Sequence, residues 1–313
     1  MTGIVVLYKP EEITSFLAVA KTRRICGEKK AGHAGTLDPM ATGVLPILFG
    51  GATRFLEFVP TSPKRYTAVL RLGLTTDTLD ITGEVQSETP VTVGREALEN
   101  ALPQFRGDIM QVPPMYSAIK KDGVRMYDLA RQGIEVEREA RPVTIYELNL
   151  LSEEETAGKS LQEHEYVLDV LCSSGTYIRT LIDDLGRVLG CGAVMTDLTR
   201  TAVGPFSLEN AVTLEQLETA AEEGTLEQWI LPVEDALKDY PISRITEAQA
   251  KRFCNGGELF LDRLPSLKKK LASGALEQGS YYRMFGPENT FVGLGEVDLE
   301  QNLMRVKRVF IGR

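Results

Sequence analysis

The chain has 313 residues, 43% hydrophobic and 25% charged, with a formal net charge of −9, a composition ordinary for a globular protein of one large domain and a small one. No apolar run approaches the roughly 20 residues needed to span a bilayer, and the apolar start has no basic leader, so a cytoplasmic protein is expected. Four scattered cysteines without a C-x-x-C pair and only two histidines exclude a disulfide framework and a zinc site.

In chain order, Ile4–Tyr8 is expected as a buried strand, followed by Lys9-Pro10. A helix is expected over Ser15–Ile25 behind Thr14, a plausible N-cap. It carries Lys21, Arg23 and Arg24, with Lys29 and Lys30 just beyond. Next comes Gly32-His33-Ala34-Gly35-Thr36-Leu37-Asp38-Pro39-Met40-Ala41-Thr42-Gly43-Val44-Leu45, a glycine-rich loop holding one carboxylate and feeding an expected strand Val44–Phe49. The glycines permit close backbone approach, and Pro39 pushes Asp38 toward an extended conformation. A single acid on such a loop reads as a nucleophile or base; an isolated Asp-Pro reads as an Asx turn. No phosphate loop, dinucleotide fingerprint or serine elbow occurs, so the chemistry rests on side chains, with no cofactor or metal.

Further strands are expected at Tyr66–Leu72, Val143–Leu151, Tyr166–Cys172 and Phe291–Val297, and helices at Arg95–Phe105 and Val124–Gln132. Paired acids in Thr76-Asp77-Thr78-Leu79-Asp80-Ile81-Thr82-Gly83 are too few for a calcium loop. The proline-rich, charged stretch at about 108–142 reads as an excursion between strands. Tyr177–Leu189 repeats apolar residues at Ile178, Leu181, Ile182, Leu185, Val188 and Leu189, the spacing of a buried helix face. Arg179 falls in its first turn, where the helix dipole disfavours a cation, so an anion is expected opposite it. His164, between two glutamates, reads as surface.

Charge is uneven. Residues 151–235 hold four basic and seventeen acidic side chains, whereas 236–313 hold thirteen basic and nine acidic. Basic clusters such as Lys120, Lys121 and Arg125, or Lys268-Lys269-Lys270, remain available to meet phosphates. A boundary is expected near 239, dividing a 1–238 domain from a 239–313 module. Thr246 and Gln249 have capping-box spacing, and Asn255-Gly256-Gly257 supplies helix-ending chemistry. The whole reads as α+β with a mixed, largely antiparallel sheet.

The motif around Asp38 resembles that of the TruB family of tRNA pseudouridine-55 synthases. Lys64-Arg65-Tyr66-Thr67-Ala68 and Ser174-Gly175-Thr176-Tyr177-Ile178-Arg179 resemble two further family motifs, in the same order. The resemblance runs from about Gly3 to Gly204. It implies a pseudouridine synthase catalytic domain whose 108–142 insertion acts as a thumb on RNA, and a small β-rich C-terminal domain of PUA type. It implies Asp38 as nucleophile, Arg179 as its partner and Tyr66 packed on the target base. Tyr177 and Leu198 would line the pocket, His33 would fill the space left by the flipped base, and Lys9 would belong to the substrate-binding set. The first motif departs from the family pattern: Glu12 stands where glycine is expected, so a local change of loop is expected. The implied substrate is the TΨC stem-loop of tRNA, bound by a monomer without a guide RNA. Two other readings use the same residues: a non-catalytic tRNA-folding factor, and a glycoside hydrolase needing a second carboxylate such as Asp77.

Overall fold

The computed structural model describes residues 1–310 apart from 118–119, 122–123, 131–132, 135 and 157. Its larger body is a nine-stranded sheet ordered Gly3–Lys9, Thr42–Phe49, Ala193–Val203, Lys64–Leu72, Glu165–Cys172, Arg141–Leu150 and Gly107–Gln111. Short strands Ala31–His33 and Phe206–Ser207 pair beside it. Among the described residues the strand-to-strand pairings of this sheet are antiparallel except one: Thr199 and Arg200 run parallel to Thr42 and Gly43.

Strands Gly3–Lys9 and Thr42–Phe49 are covered on both faces. Ile4, Val6, Val44 and Leu48 pack into one core cluster, and Val5, Leu7, Leu45, Ile47 and Phe49 into another. That explains their near-continuous apolar sequence. Helix Ile178–Leu189 covers the middle of the sheet, setting Leu181, Ile182 and Leu185 among Leu70, Leu168, Val170 and Met195. Tyr177 precedes it in an extended conformation, and Gly190 ends it at φ 78°. Val188 departs from the expected buried face: it is 52% exposed.

Helix Ser15–Ile25 starts as expected, with the Thr14 side chain accepting the Leu17 N–H. The expected helix Arg95–Phe105 is an α-helix to Ala101 and a 3₁₀ turn from Leu102, where Pro103 cannot supply an amide donor. In the excursion, the described helix is Met126–Ala130. The expected end at Gln132 lies outside the described residues, as do the side chains of Lys120, Lys121 and Arg125. Gly107–Gln111 pairs with Arg141–Leu150 at the sheet edge, so the excursion proper is 112–140, shorter at both ends than the expected insertion.

A second sheet holds Ile242–Arg244, Tyr281–Phe285, Phe291–Asp298, Leu303–Val309 and Leu259–Phe260 in that order. Its helix Glu247–Cys254 opens on the expected Thr246/Gln249 capping box and gives way to Gly256 at φ 81°. The two sheets meet through aromatic rings: Phe55 lies 5.7 Å from Phe291 and 6.0 Å from Phe310, and Phe58 lies 5.4 Å from Tyr281. Arg308 adds an ion pair with Glu57. Among the described residues no helix is long and apolar enough to cross a membrane.

Candidate active site

Asp38 lies between strands Ala31–His33 and Thr42–Phe49, on a loop fixed from behind by three buried polar side chains. The Ser15 hydroxyl accepts the Leu37 N–H at 2.8 Å and donates to the Leu37 carbonyl at 2.9 Å. The Lys9 ammonium donates to the carbonyls of Pro10, Ile13 and Pro39 at 2.7, 2.8 and 3.1 Å. Arg200 donates from Nε to Val44 O at 2.8 Å, from Nη1 to Thr36 O at 3.3 Å and from Nη2 to Gly35 O at 3.0 Å. A loop with little regular pairing of its own thus has its carbonyls satisfied by buried donors. Its acid is left facing outward.

Lys9 is placed differently from its expected substrate-binding position. It is fully buried and its three donors are spent on carbonyls, so it positions the loop and does not reach into the cleft. Burial lowers the Lys9 ammonium from 10.5 to about 8, against the pull of Asp38 and Glu11. Glu12, where the family pattern has glycine, adopts φ 65°, the left-handed conformation that glycine favours.

The Asp38 side chain is 39% exposed, and its Oδ2 accepts from Arg179 Nη2 at 2.9 Å. Arg179 is nearly buried. Its Nη1 donates to Thr78 O at 2.9 Å, its Nη2 to Tyr116 O at 3.0 Å, and its guanidinium faces Asp80 Oδ2 at 3.5 Å. One cation therefore ties the Asp38 loop, the Thr76–Gly83 turn and the excursion together. Asp80 is itself held as a turn acceptor, by Thr78 Oγ1 at 2.9 Å, Thr82 N at 3.1 Å and Thr82 Oγ1 at 2.5 Å. Among the described residues no group of acids, histidines and cysteines could hold a metal ion.

Tyr66 and Arg200 are directly opposite across the Lys64–Leu72 and Ala193–Val203 strands, as are Ala68 and Leu198. The buried Tyr66 hydroxyl faces Arg200, and burial pushes its pKa up to about 12 despite that cation. It is a neutral phenol at physiological pH. Leu198 is buried in the same core cluster as Tyr66. Tyr177 is fixed through its backbone by the buried side chain of Gln111, whose Oε1 accepts the Tyr177 N–H at 2.8 Å and whose Nε2 donates to Tyr177 O at 3.1 Å. Burial also raises the Tyr177 hydroxyl, which faces Ser117 of the excursion. The His33 imidazole is held below its ordinary value, first by burial and then by Arg200. Its Nδ1 is buried with no hydrogen-bond partner among the described residues. His164 is on the surface, 3.7 Å from Glu163.

The structure therefore brings Asp38, Arg179, Tyr66, Tyr177, Leu198 and His33 to one end of the central strands. Sequence reasoning missed Arg200, Asp80, Ser15 and Gln111. The available signal for Arg200 was an arginine two positions after Leu198, hence on the same face of a strand.

Three family models cover almost the whole chain: "TruB family pseudouridylate synthase (N terminal domain)" over 23–178, "tRNA pseudouridylate synthase B C-terminal domain" over 179–238 and "Pseudouridine synthase II TruB, C-terminal" over 241–310. The chain belongs to the TruB pseudouridine synthase family. A tRNA pseudouridine synthase B of Pseudomonas aeruginosa (strain UCBPP-PA14) is 45% identical over 300 residues, 95% of this chain and 92% of the relative. One from Ectopseudomonas mendocina (strain ymp) is 43% identical over 313 residues, 99% of this chain and 96% of the relative. Among solved structures, a chain of a Cbf5-Nop10-Gar1 complex superposes with a TM-score of 0.71 at 26% identity, covering 99% of this chain and 85% of that one. A chain of an H/ACA RNP bound to a substrate RNA containing 2′-deoxyuridine shares the fold with a TM-score of 0.70 at 23% identity, covering 99% and 86%. The α+β catalytic body and the β-rich C-terminal sheet are the family architecture.

Proposed function

We propose that this enzyme isomerises uridine 55 in the TΨC loop of tRNA to pseudouridine. The observation that carries this reading is an accessible carboxylate, Asp38, paired at 2.9 Å with a nearly buried arginine beside a buried neutral tyrosine. The reaction breaks the N1–C1′ bond, turns the uracil over and joins C5 to C1′. The C5 proton is released and N1 gains one, so atoms balance and no oxidant or hydrolytic water is consumed.

Each need of that chemistry has a residue. The target nucleotide must leave its stack to reach a pocket, and Tyr66, Tyr177 and Leu198 provide apolar walls for it. Asp38 acts at the ribose as the glycosidic bond breaks, with Arg179 supplying the counter-charge. Tyr66, a phenol at neutral pH, packs on the base and can exchange a proton through its hydroxyl. His33, kept neutral, suits the space beside the displaced base. Lys9, Ser15 and Arg200 act through the loop as positioning residues.

A protein that only binds and refolds RNA has no use for a carboxylate facing a phosphate-rich ligand, whereas a glycosidic-bond isomerase requires one. The 112–140 excursion, tied to the site through Tyr116 and Ser117, gives the chain its own grip on a loop. This supports a stand-alone enzyme acting without a guide RNA; it is further proposed to be a cytoplasmic monomer with a domain division near 239 that assigns the second sheet to RNA binding. The test is incubation of an unmodified tRNA transcript with the protein and chemical mapping of pseudouridine. Modification at position 55, absent when position 55 is cytidine, is the expected result. Modification confined to another position would overturn the assignment.

A further inference from the structure

Gly35 lies three residues before Asp38 at φ 89°. The space where a side chain would start is bordered by two cationic heads: Arg200 Nη1 would lie 3.4 Å and Lys64 Nζ 3.7 Å from a Cβ at Gly35. The two cations are not equivalent. Arg200 is fully buried and spends its donors on the carbonyls of Gly35, Thr36 and Val44. Lys64 is half-buried, and among the described residues its ammonium has neither a hydrogen-bond acceptor nor a carboxylate partner. An ammonium with three donors left open beside a second cation calls for an anion.

The neighbouring groups do not supply one. Lys64 is held below its ordinary value first by burial and then by Arg200; the one group pulling it up is Cys172. Burial raises the Cys172 thiol to about 11, so it stays protonated at neutral pH and offers no charge. Lys64 and Tyr66 are two residues apart on one strand and therefore share a face, about 7 Å from each other along it. Lys64 therefore flanks the place where a base would pack on Tyr66.

We propose that Lys64, with Arg200 behind it and the bare Gly35 backbone as its floor, forms an anion subsite for the backbone phosphate next to the flipped uridine. The subsite explains why a lysine is kept partly desolvated beside an arginine. It also explains why the loop has glycine there: a side chain would occupy the space between the two cations. It rests on the tRNA reading given above.

The test compares the parent, Lys64→Met, Lys64→Gln and Lys64→Arg for binding to unmodified tRNA transcript between about 50 and 200 mM salt. Loss of one phosphate contact makes the slope of log affinity against log salt shallower by about 0.7–0.9. It also lowers affinity by about tenfold at low salt, the worth of one charge-assisted hydrogen bond. Met and Gln are expected to show both effects, and Arg to restore the parent slope. Thermal unfolding of each variant identifies loss of packing. A folded Met or Gln variant with the parent slope, whatever its affinity, overturns the subsite. So does an Arg variant as shallow as Met. The slope is read from binding alone, whereas pseudouridine formation by the parent scores the functional reading, so the two can fail separately.

Discussion

Replacing Gly43 by alanine tests how the catalytic loop is held. Gly43 sits at φ 101°, and a Cβ there would lie 2.2 Å from the Arg200 carbonyl oxygen and 2.9 Å from the Arg200 carbonyl carbon and nitrogen. Neither side can yield easily. Arg200 belongs to the strand between Lys64–Leu72 and Thr42–Phe49, and its guanidinium is anchored on Val44, Thr36 and Gly35. The left-handed backbone costs an ordinary residue about 1–2 kcal/mol, and forcing a methyl into packed backbone adds about 1–3. The expected destabilisation is about 2–5 kcal/mol, read from urea unfolding. Relief requires the loop to part from the strand by about 1 Å, and a misplacement of that size costs on the order of 100-fold in rate. Single-turnover pseudouridine formation should fall accordingly. Gly27 is the control: it sits at φ 64° with nothing within 4 Å of a Cβ, so Gly27→Ala should lose about 1–2 kcal/mol with its rate unchanged. If Gly43→Ala matched Gly27→Ala in both stability and rate, the claim that close backbone contact fixes Asp38 would be wrong.

Other outcomes follow from the same geometry. Glu12→Gly should stabilise the fold by about 1 kcal/mol, because it removes a left-handed non-glycine residue; a loss of stability in urea would contradict this. Arg179→Met leaves nearly buried Asp80 without its cation and should cost about 3–5 kcal/mol. Adding Asp80→Asn should recover part of that in a double-mutant cycle, and strict additivity would refute the coupling. For Lys9 the folded value, about 8, lies below the ordinary 10.5. Between those values the unfolded chain holds a proton that the folded chain does not, so stability relative to Lys9→Met should rise with pH through that window. The gain from pH 8 to 9.5 is at most about 2 kcal/mol, and a falling difference would refute the burial account.

Local chemistry was legible in the sequence. Thr14, the Thr246/Gln249 pair and Gly256 act on backbone groups within four residues, so their spacing alone marks helix ends. Asp38 stood out because a lone acid sat among glycines and a proline, and Arg179 because a cation in a first helical turn needs an anion. The strand Ala193–Val203 was not legible. Bulges at Met195/Asp197 and Arg200/Ala202 break its alternation, and threonines, an aspartate and an arginine interrupt its apolar residues. Lys9 and Arg200 look like surface cations by residue type. They are fully buried because each satisfies a carbonyl of the Asp38 loop that the sheet brings beside it, 30 residues away for Lys9 with Pro39 and 164 and 165 for Arg200 with Thr36 and Gly35. Asp80 was visible as half of an acidic pair, but its facing Arg179 depends on the helix that crosses the sheet. Glu12 shows the converse case, where surrounding structure imposes a backbone conformation that its own residue type disfavours.

The most direct test of the central claim is Asp38→Asn against the parent, measuring both tRNA binding and pseudouridine formation on unmodified transcript. The substitution keeps the side-chain shape and leaves Arg179 its contacts with Thr78, Tyr116 and Asp80. The account predicts retained binding with no pseudouridine formed. Pseudouridine formed by Asp38→Asn at the parent rate would contradict it.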